Sequence, residues 1–332
     1  MRRIQVWVSF IAVAFLVLNT GAAFAGDVKA QGQPFQALQQ QIDVLKKQLQ
    51  GNYYTKTEVD ALLAACCVAE IRFSQVSAGW YHTCGVKSDG TVTCWGADNS
   101  GQSTPPEGTF SQVACGGEGH TCGLQSNGTV LCWGEDNWGQ STPPAGTFSQ
   151  VSAGAAHTCG VKSDGIVACW GWNDLGVSTP PEGTFSQIAC EAYHTCGVKS
   201  DGTVACWGRN DFGQSTPPAG TFTQVASGGG YHTCGVKSDG TVACWGYGSA
   251  GQTTPPVGTF TQVACGSYHT CGVKSDGTVA CWGANGYGQS APPAGTFTQV
   301  TAGAWHTCGV KSDGTVACWG RNDSGQSTPP QL

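Results

Sequence analysis

One motif recurs seven times in this chain and limits what the chain can fold into. It reads F-[ST]-Q-[VI], a short variable stretch, then H-T-C-G-[VL]-x-S-[DN]-G-x-V-x-C-W-G. The copies follow one another every 37 or 38 residues, from Phe73, Phe110, Phe148, Phe185, Phe222, Phe260 and Phe297. A fixed period of this size is typical of proteins whose units bury their apolar faces only by stacking on their neighbours. Seven such units favour a closed ring.

Each copy contains three segments with the composition of β-strands. In the first copy they cover residues 73–79, 82–87 and 91–96, and the last two are joined by Ser88-Asp89-Gly90 as a hairpin loop. The segment 101–106, which ends in two prolines, is interpreted as a short fourth strand at the outer edge. Three or four antiparallel strands per copy predict an all-β fold, a seven-bladed β-propeller over residues 71–332.

The N-terminus has the composition of a secretory signal peptide. Arg2 and Arg3 precede an apolar run over residues 6–18, and Ala23-Phe24-Ala25 supplies a small-residue cleavage pattern. Residues 1–25 are therefore predicted to be removed, and the mature protein is expected to be secreted, periplasmic or displayed at the cell surface. No other segment is apolar and long enough to span a membrane.

Residues 26–70 are predicted to form a short helical stalk. Apolar residues at 35, 38, 42, 45 and 49 follow the 3-4 spacing of a coiled-coil seam. One interpretation is a stalk that assembles several rings into a homo-oligomer, such as a trimer, with Cys66 and Cys67 cross-linking neighbouring chains. The alternative is a single helix that packs on the propeller.

Two cysteines recur in every copy, ten residues apart. If the second and third strands form a hairpin, Cys84 faces Cys94 across it, at a distance that a disulfide can bridge. An oxidising compartment permits such bonds. The predicted pairs are Cys84/Cys94, Cys122/Cys132, Cys159/Cys169, Cys196/Cys206, Cys234/Cys244, Cys271/Cys281 and Cys308/Cys318. The alternative is a zinc site of His82, Cys84 and Cys94, but no fourth ligand recurs with them.

The remaining repeated residues are interpreted as structural. Cys115, Cys190 and Cys265 stand in alternate copies where the others have Ala or Ser, and they are expected to be small buried thiols. The histidine of each copy is expected to bond a backbone group through a ring nitrogen, and the tryptophan after the second cysteine is expected to pack between blades.

The composition argues against two classes of function. A net charge of −6 does not suit the phosphate backbone of nucleic acid. No unique Ser/His/Asp set, carboxylate pair or phosphate-binding loop stands out, so we expect neither an enzyme nor a cofactor.

The copies differ from one another mainly in two loops, which strand topology places on one face of the ring. Aromatic and arginine side chains concentrate there, as they do in recognition surfaces. The predicted binding residues are Trp80, Tyr81, Trp138, Trp172, Leu175, Tyr193, Arg209, Phe212, Tyr231, Tyr247, Tyr268, Tyr287, Trp305 and Arg321. The alternative is that some of these aromatics only cover the disulfides.

The repeated G-x-x-H-[ST] and D-G-x-V-x-C-W-G segments resemble those of the regulator-of-chromosome-condensation repeat superfamily. The W-G-x-N-x-x-G-Q-[ST]-T-x-P run after residue 206 is similar to that of secreted bacterial members such as beta-lactamase inhibitor protein II. The resemblance implies a seven-bladed propeller and does not transfer a function. The main hypothesis is a secreted or surface-displayed scaffold that binds an unknown protein or glycan. The alternatives are an inhibitor of an extracytoplasmic enzyme and a carbohydrate-binding propeller.

Overall fold

The computed structural model describes residues 72–229 and 231–330. The chain divides into two units, Met1–Ala69 and Glu70–Leu332, and the described residues belong to the second. The predicted signal peptide and helical stalk, with Cys66 and Cys67, therefore lie outside the described residues. Within the described ranges there is no helix long and apolar enough to cross a membrane.

The described residues form 21 strands, three from each repeat. They are β1 Phe73–Ala78, β2 His82–Lys87, β3 Val92–Gly96, β4 Phe110–Cys115, β5 His120–Gln125, β6 Val130–Gly134, β7 Phe148–Ala153, β8 His157–Lys162, β9 Val167–Gly171, β10 Phe185–Cys190, β11 His194–Lys199, β12 Val204–Gly208, β13 Phe222–Gly228, β14 His232–Lys237, β15 Val242–Gly246, β16 Phe260–Cys265, β17 His269–Lys274, β18 Val279–Gly283, β19 Phe297–Ala302, β20 His306–Lys311 and β21 Val316–Gly320.

Each repeat forms one antiparallel sheet of three strands that are consecutive in sequence, which confirms the propeller blades. The predicted hairpin register is also confirmed, because Val86 pairs with Val92 and Cys84 with Cys94. Gly90 closes the hairpin loop with a φ of 81°, a left-handed conformation that glycine adopts without strain. The first strands of successive blades contact one another, and β19 contacts β1, so the seven blades close into a ring.

The predicted fourth strand is wrong. Residues 101–106 form turns, in which Thr104 N–H donates to the Gly101 carbonyl and Ser103 N–H donates to the Asp98 carboxylate. Gln102 is buried, and its backbone carbonyl accepts hydrogen bonds from Thr121 and Trp133 of the next blade, so this segment packs against that blade instead of running along the sheet edge.

A separate apolar cluster fills each joint between neighbouring blades. At the first joint, Val113, Cys115 and Trp133 of the second blade pack against Cys84 and Val86 of the first. The same arrangement recurs around the ring, and Phe73, Val76 and Trp95 of the first blade pack against the seventh. The repeat therefore buries its apolar residues between blades, as the period predicted.

A glutamine from each first strand links it to the first strand of the next blade. The Gln75 side chain accepts a hydrogen bond from Val113 N–H at 2.8 Å and donates one to the Val113 carbonyl at 2.9 Å. The first strands of neighbouring blades belong to separate sheets, and this side-chain amide makes the bonds between them that a peptide group would make within a sheet. Gln299 makes the same two hydrogen bonds to Val76, so the joint between the seventh and first blades is built like the other joints.

Candidate functional site

The seven histidines are buried, and each bonds the next blade. His82 Nε2 lies 2.8 Å from the hydroxyl of Thr121, and the pattern continues to His306 and Thr83 at 2.9 Å. The Thr121 hydroxyl donates its own proton to the Gln102 carbonyl, so the imidazole must be the donor to it. The sequence correctly predicted a structural histidine but not its partner, which is a threonine side chain and not a backbone group.

Burial keeps these imidazoles neutral. It lowers the pKa of His82, His157, His194, His269 and His306 to about 3, and that of His120 and His232 to about 4. The Nδ1 atoms of six of the seven rings are buried without a hydrogen-bond partner, so a proton there would have nothing to compensate its charge. The ring of histidines therefore holds blades together and is not available for acid-base catalysis near neutral pH.

The fourteen hairpin cysteines form the seven predicted disulfides, each with a Cα–Cα distance of 4.0 Å. The zinc alternative is therefore wrong for these cysteines, since a sulfur in a disulfide cannot act as a thiolate ligand. Cys115, Cys190 and Cys265 are buried free thiols, as expected.

The variable loops lie at one end of the blades, and a buried glutamine holds each in place in six of the seven repeats. Its side chain accepts a hydrogen bond from the backbone two residues earlier, as Gln140 does from Trp138 N–H at 2.8 Å and Gln289 from Tyr287 N–H at 2.8 Å. Its backbone carbonyl accepts from the tryptophan of the next blade, as Gln140 does from Trp170 Nε1. In these six repeats the variable side chain therefore lies beside a hydrogen-bonded joint between two blades.

Eight of the predicted aromatic side chains form one connected cluster on this face, which we call the aromatic arc. Tyr231 stacks on Tyr268 with ring centroids 5.9 Å apart, and Tyr268 stacks on Trp305 at 5.3 Å. Edge and tilted contacts, with ring centroids 4.9 to 6.5 Å apart, add the other aromatic side chains. The members of the arc are Trp172, Tyr193, Phe212, Tyr231, Tyr247, Tyr268, Tyr287 and Trp305.

Two arginines lie over the arc, each fixed by an aspartate two residues later. The guanidinium carbon of Arg209 lies 5.6 Å from the ring centroid of Tyr193 and 5.8 Å from that of Tyr231, and its Nε donates to Asp211. Arg321 likewise lies over Tyr287 and Tyr81 and donates to Asp323, which brings Tyr81 into the same surface.

Three predicted binding residues lie apart from the arc. Trp138 and Leu175 lie on loops of the second and third repeats, where they are 56% and 43% exposed. Neither takes part in the aromatic contacts of the arc described above. Trp80 points from the first blade towards the fourth, where its indole N–H lies 3.5 Å from Glu191 Oε1. Since these blades are three apart in a ring of seven, this contact crosses the centre of the ring.

Glu191 is a site residue that the sequence analysis missed. It stands where the other six repeats have glycine, and this single departure is the signal that could have identified it. Its carboxylate also accepts a hydrogen bond from Gly229 N–H at 2.9 Å, and burial raises its pKa to about 7. With this raised pKa, the Glu191 carboxylate changes charge near neutral pH.

The arc and its two arginines are better suited to binding a partner than to catalysis or metal binding. Aromatic faces and oriented guanidinium groups can stack on a partner and donate hydrogen bonds to it. Among residues 72–229 and 231–330, the groups with metal-ligand composition combine one histidine and one free thiol with a disulfide sulfur, which is a poor set for a metal ion.

Comparison with known proteins agrees with the blade structure. The ectodomain of the receptor kinase CR4 from Physcomitrella patens is 27% identical, with 79% of this chain and 76% of that chain aligned and a TM-score of 0.66. The CRINKLY WD40 ectodomain of the Arabidopsis thaliana receptor kinase ACR4 is 27% identical over 79% of this chain and all of the other, with a TM-score of 0.65. Prp20p from Saccharomyces cerevisiae shares the fold at 16% identity, over 80% and 86% of the two chains, with a TM-score of 0.63.

No curated protein matches the chain in sequence. The family described as Regulator of chromosome condensation (RCC1) repeat matches it seven times, at residues 73–102, 110–140, 148–177, 185–214, 222–252, 260–289 and 297–326. These segments coincide with the seven blades and contain the histidine, the cysteine pair and the anchoring glutamine or its valine replacement. The chain belongs to the RCC1 repeat family.

Proposed function

We propose that this protein is an extracytoplasmic binding scaffold whose aromatic arc recognises a partner protein. The observation that carries the proposal is the continuity of the arc over five successive blades, the third to the seventh, with two arginines held over it. Trp, Tyr and Arg are the residues that contribute most to protein interfaces. Here ring contacts and Asp211 and Asp323 already restrain these side chains, so binding would cost little further conformational entropy.

Two observations support a location outside the cytoplasm. Seven disulfides are typical of oxidising compartments. The two plant relatives at 27% identity are ectodomains of receptor kinases. The proposed signal peptide over residues 1–25 would deliver the chain there, and the proposed stalk over residues 26–70 would assemble several rings. Light scattering of the mature protein would contradict the stalk proposal if it gave the mass of a monomer.

A glycan is the second candidate ligand. Tyr287 and Phe212 are 53% and 44% exposed, so part of each ring is free to stack on a sugar. A glycan array separates the two candidates, because specific sugar binding that depends on these rings would favour the lectin interpretation over the protein partner.

The experiment compares the wild-type protein with Phe212→Ala and Tyr287→Ala as immobilised baits for extracytoplasmic proteins. We expect a specific partner whose affinity falls about tenfold or more with each substitution, which corresponds to about 1.4 kcal/mol. Val257→Ala is the matched control, since Val257 is fully exposed on a link at the opposite end of the blades. If the arc variants and the control bind every captured protein equally, the arc is not the recognition surface.

A further inference from the structure

Each of the three buried free thiols lies against a disulfide of the preceding blade. The sulfurs of Cys115 and Cys84 and a ring nitrogen of His82 are all within 4.8 Å of one another. The same group recurs twice, as His157, Cys159 and Cys190 and as His232, Cys234 and Cys265. In the other four joints the position of the free thiol is taken by Ala or Ser, at Ala78, Ala153, Ser227 and Ala302.

The backbone holds the thiol of Cys115 at this place. Cys115 N–H donates to the Ser77 hydroxyl at 3.0 Å, and its thiol donates to the Ser77 carbonyl at 3.2 Å. Ser77 is the residue that pairs with Cys84 in the sheet of the first blade. Cys115 and Cys84 belong to the same buried cluster, so neither sulfur can turn away without opening the joint between the blades.

We propose that Cys115, Cys190 and Cys265 are exchange sites, at which a disulfide within one blade converts to a disulfide between two blades. The sulfur of Cys115 attacks Cys84 Sγ and forms a Cys84–Cys115 bond, while the bond from Cys84 to Cys94 breaks. The proton that Cys115 loses is taken up by the departing Cys94 sulfur. One disulfide and one thiol are present before and after the step, so no oxidant or reductant is needed.

The exchange moves the reactive thiol towards the surface. Cys115 is buried, whereas Cys94 is only partly buried on β3, the outer strand of its blade. Cys169 and Cys244 are in the same position on β9 and β15. A thiol exposed in this way can react with a small-molecule disulfide or with a disulfide of another protein, which gives the outer edges of blades one, three and five a covalent attachment site.

The rate of exchange depends on pH. Burial raises the pKa of the Cys115, Cys190 and Cys265 thiols to about 12, so the attacking thiolate is scarce at neutral pH. Below that value the thiolate fraction, and with it the rate, should rise about tenfold for each pH unit. The bonds within blades should therefore persist for long times near neutral pH and convert faster in alkaline solution.

The test incubates the full-length folded protein at pH 7, 8 and 9 with glutathione disulfide, quenches it with acid, and maps linkages by mass spectrometry of peptic peptides. We expect Cys84–Cys115, Cys159–Cys190 and Cys234–Cys265 cross-links, with glutathione on Cys94, Cys169 and Cys244. The Cys122–Cys132, Cys196–Cys206, Cys271–Cys281 and Cys308–Cys318 bonds are internal controls and should stay intact.

Two variants make the test specific. Cys115→Ala, which installs the residue found in three other repeats, should remove glutathione from Cys94 and leave Cys169 and Cys244 labelled. Ala153→Cys should make the Cys122–Cys132 bond exchangeable, because it places a thiol at the equivalent position. Unlabelled outer cysteines, label on Cys94 that persists in Cys115→Ala, or equal scrambling of all seven bonds would each overturn the proposal.

Discussion

The buried histidine ring predicts that acid destabilises the propeller steeply. All seven imidazoles are at most 1% exposed, and their pKa values are lowered to about 3 or 4. In the unfolded chain their pKa is near 6.5. Below this pH the unfolded state binds protons that the folded state does not bind, which lowers the free energy of unfolding. Their contribution to stability is complete above pH 6.5 and is lost as the pH falls towards the folded values.

The size of the effect follows from the number of rings. Each imidazole stays neutral in the folded state, so the free energy of unfolding falls by about 1 kcal/mol per histidine when the pH is lowered from 6.5 to 5.5. The seven histidines together give a loss of about 7 kcal/mol. Glu191 acts in the opposite direction, because its folded pKa is raised to about 7, but one carboxyl recovers only about 1 kcal/mol over the same interval. The histidines therefore decide the sign.

Urea unfolding of the oxidised protein at pH 7.5, 6.5 and 5.5, at constant ionic strength, measures this loss. His157→Asn is the control, since removing one titrating ring should reduce the loss between pH 6.5 and 5.5 by about 1 kcal/mol, whatever its effect at pH 7.5. An unfolding midpoint that does not change between pH 7.5 and 5.5 would refute the reasoning. So would native-state NMR titrations in which the imidazoles protonate near pH 6.5.

Four further substitutions test individual contacts by urea unfolding. Val177→Gln should stabilise the protein by about 1 kcal/mol, because it gives Leu175 N–H the side-chain acceptor that six other repeats supply; no gain would argue against the anchoring role. Glu191→Gln should stabilise it by up to about 3 kcal/mol at pH 8 and not at pH 5, since the raised pKa lowers stability only as the pH rises through 7. Gly96→Ala should cost about 3 kcal/mol, because φ is 104° and the new Cβ would lie 2.6 Å from a backbone carbonyl oxygen. Gly101→Ala, with φ of 80° and no atom within 4 Å of the new Cβ, should cost only about 1 kcal/mol; equal losses would contradict the steric argument.

The features that lie within one repeat could be predicted from the sequence. The Ser88-Asp89-Gly90 loop sets the hairpin register, and the register places Cys84 opposite Cys94. The RCC1-like propeller followed from the same motif. The face that carries the arc could also be deduced, because strand direction determines which loops lie at the same end of a blade.

The features that lie between repeats could not be predicted in this way. The partner of His82 belongs to the next blade, and the free thiol of Cys115 meets a disulfide of the preceding one. The segment 101–106 was predicted to be a short outer strand ending at Pro105 and Pro106, but Gln102 packs against the neighbouring blade and the segment forms turns. Contacts of this kind depend on how far the blades rotate about the ring, which the composition of a single repeat does not specify.

The glutamine side chains that link the first strands of neighbouring blades should allow the ring to be circularly permuted. Each sheet takes all three strands from one repeat, and the joint between the seventh and first blades uses the same glutamine, histidine and tryptophan bonds as the other joints. Among the described residues, no strand is shared between the first and last repeats, so no joint depends on being the one without a peptide connection. Circular permutants opened at any of the Pro-Pro links should therefore assemble the same seven joints.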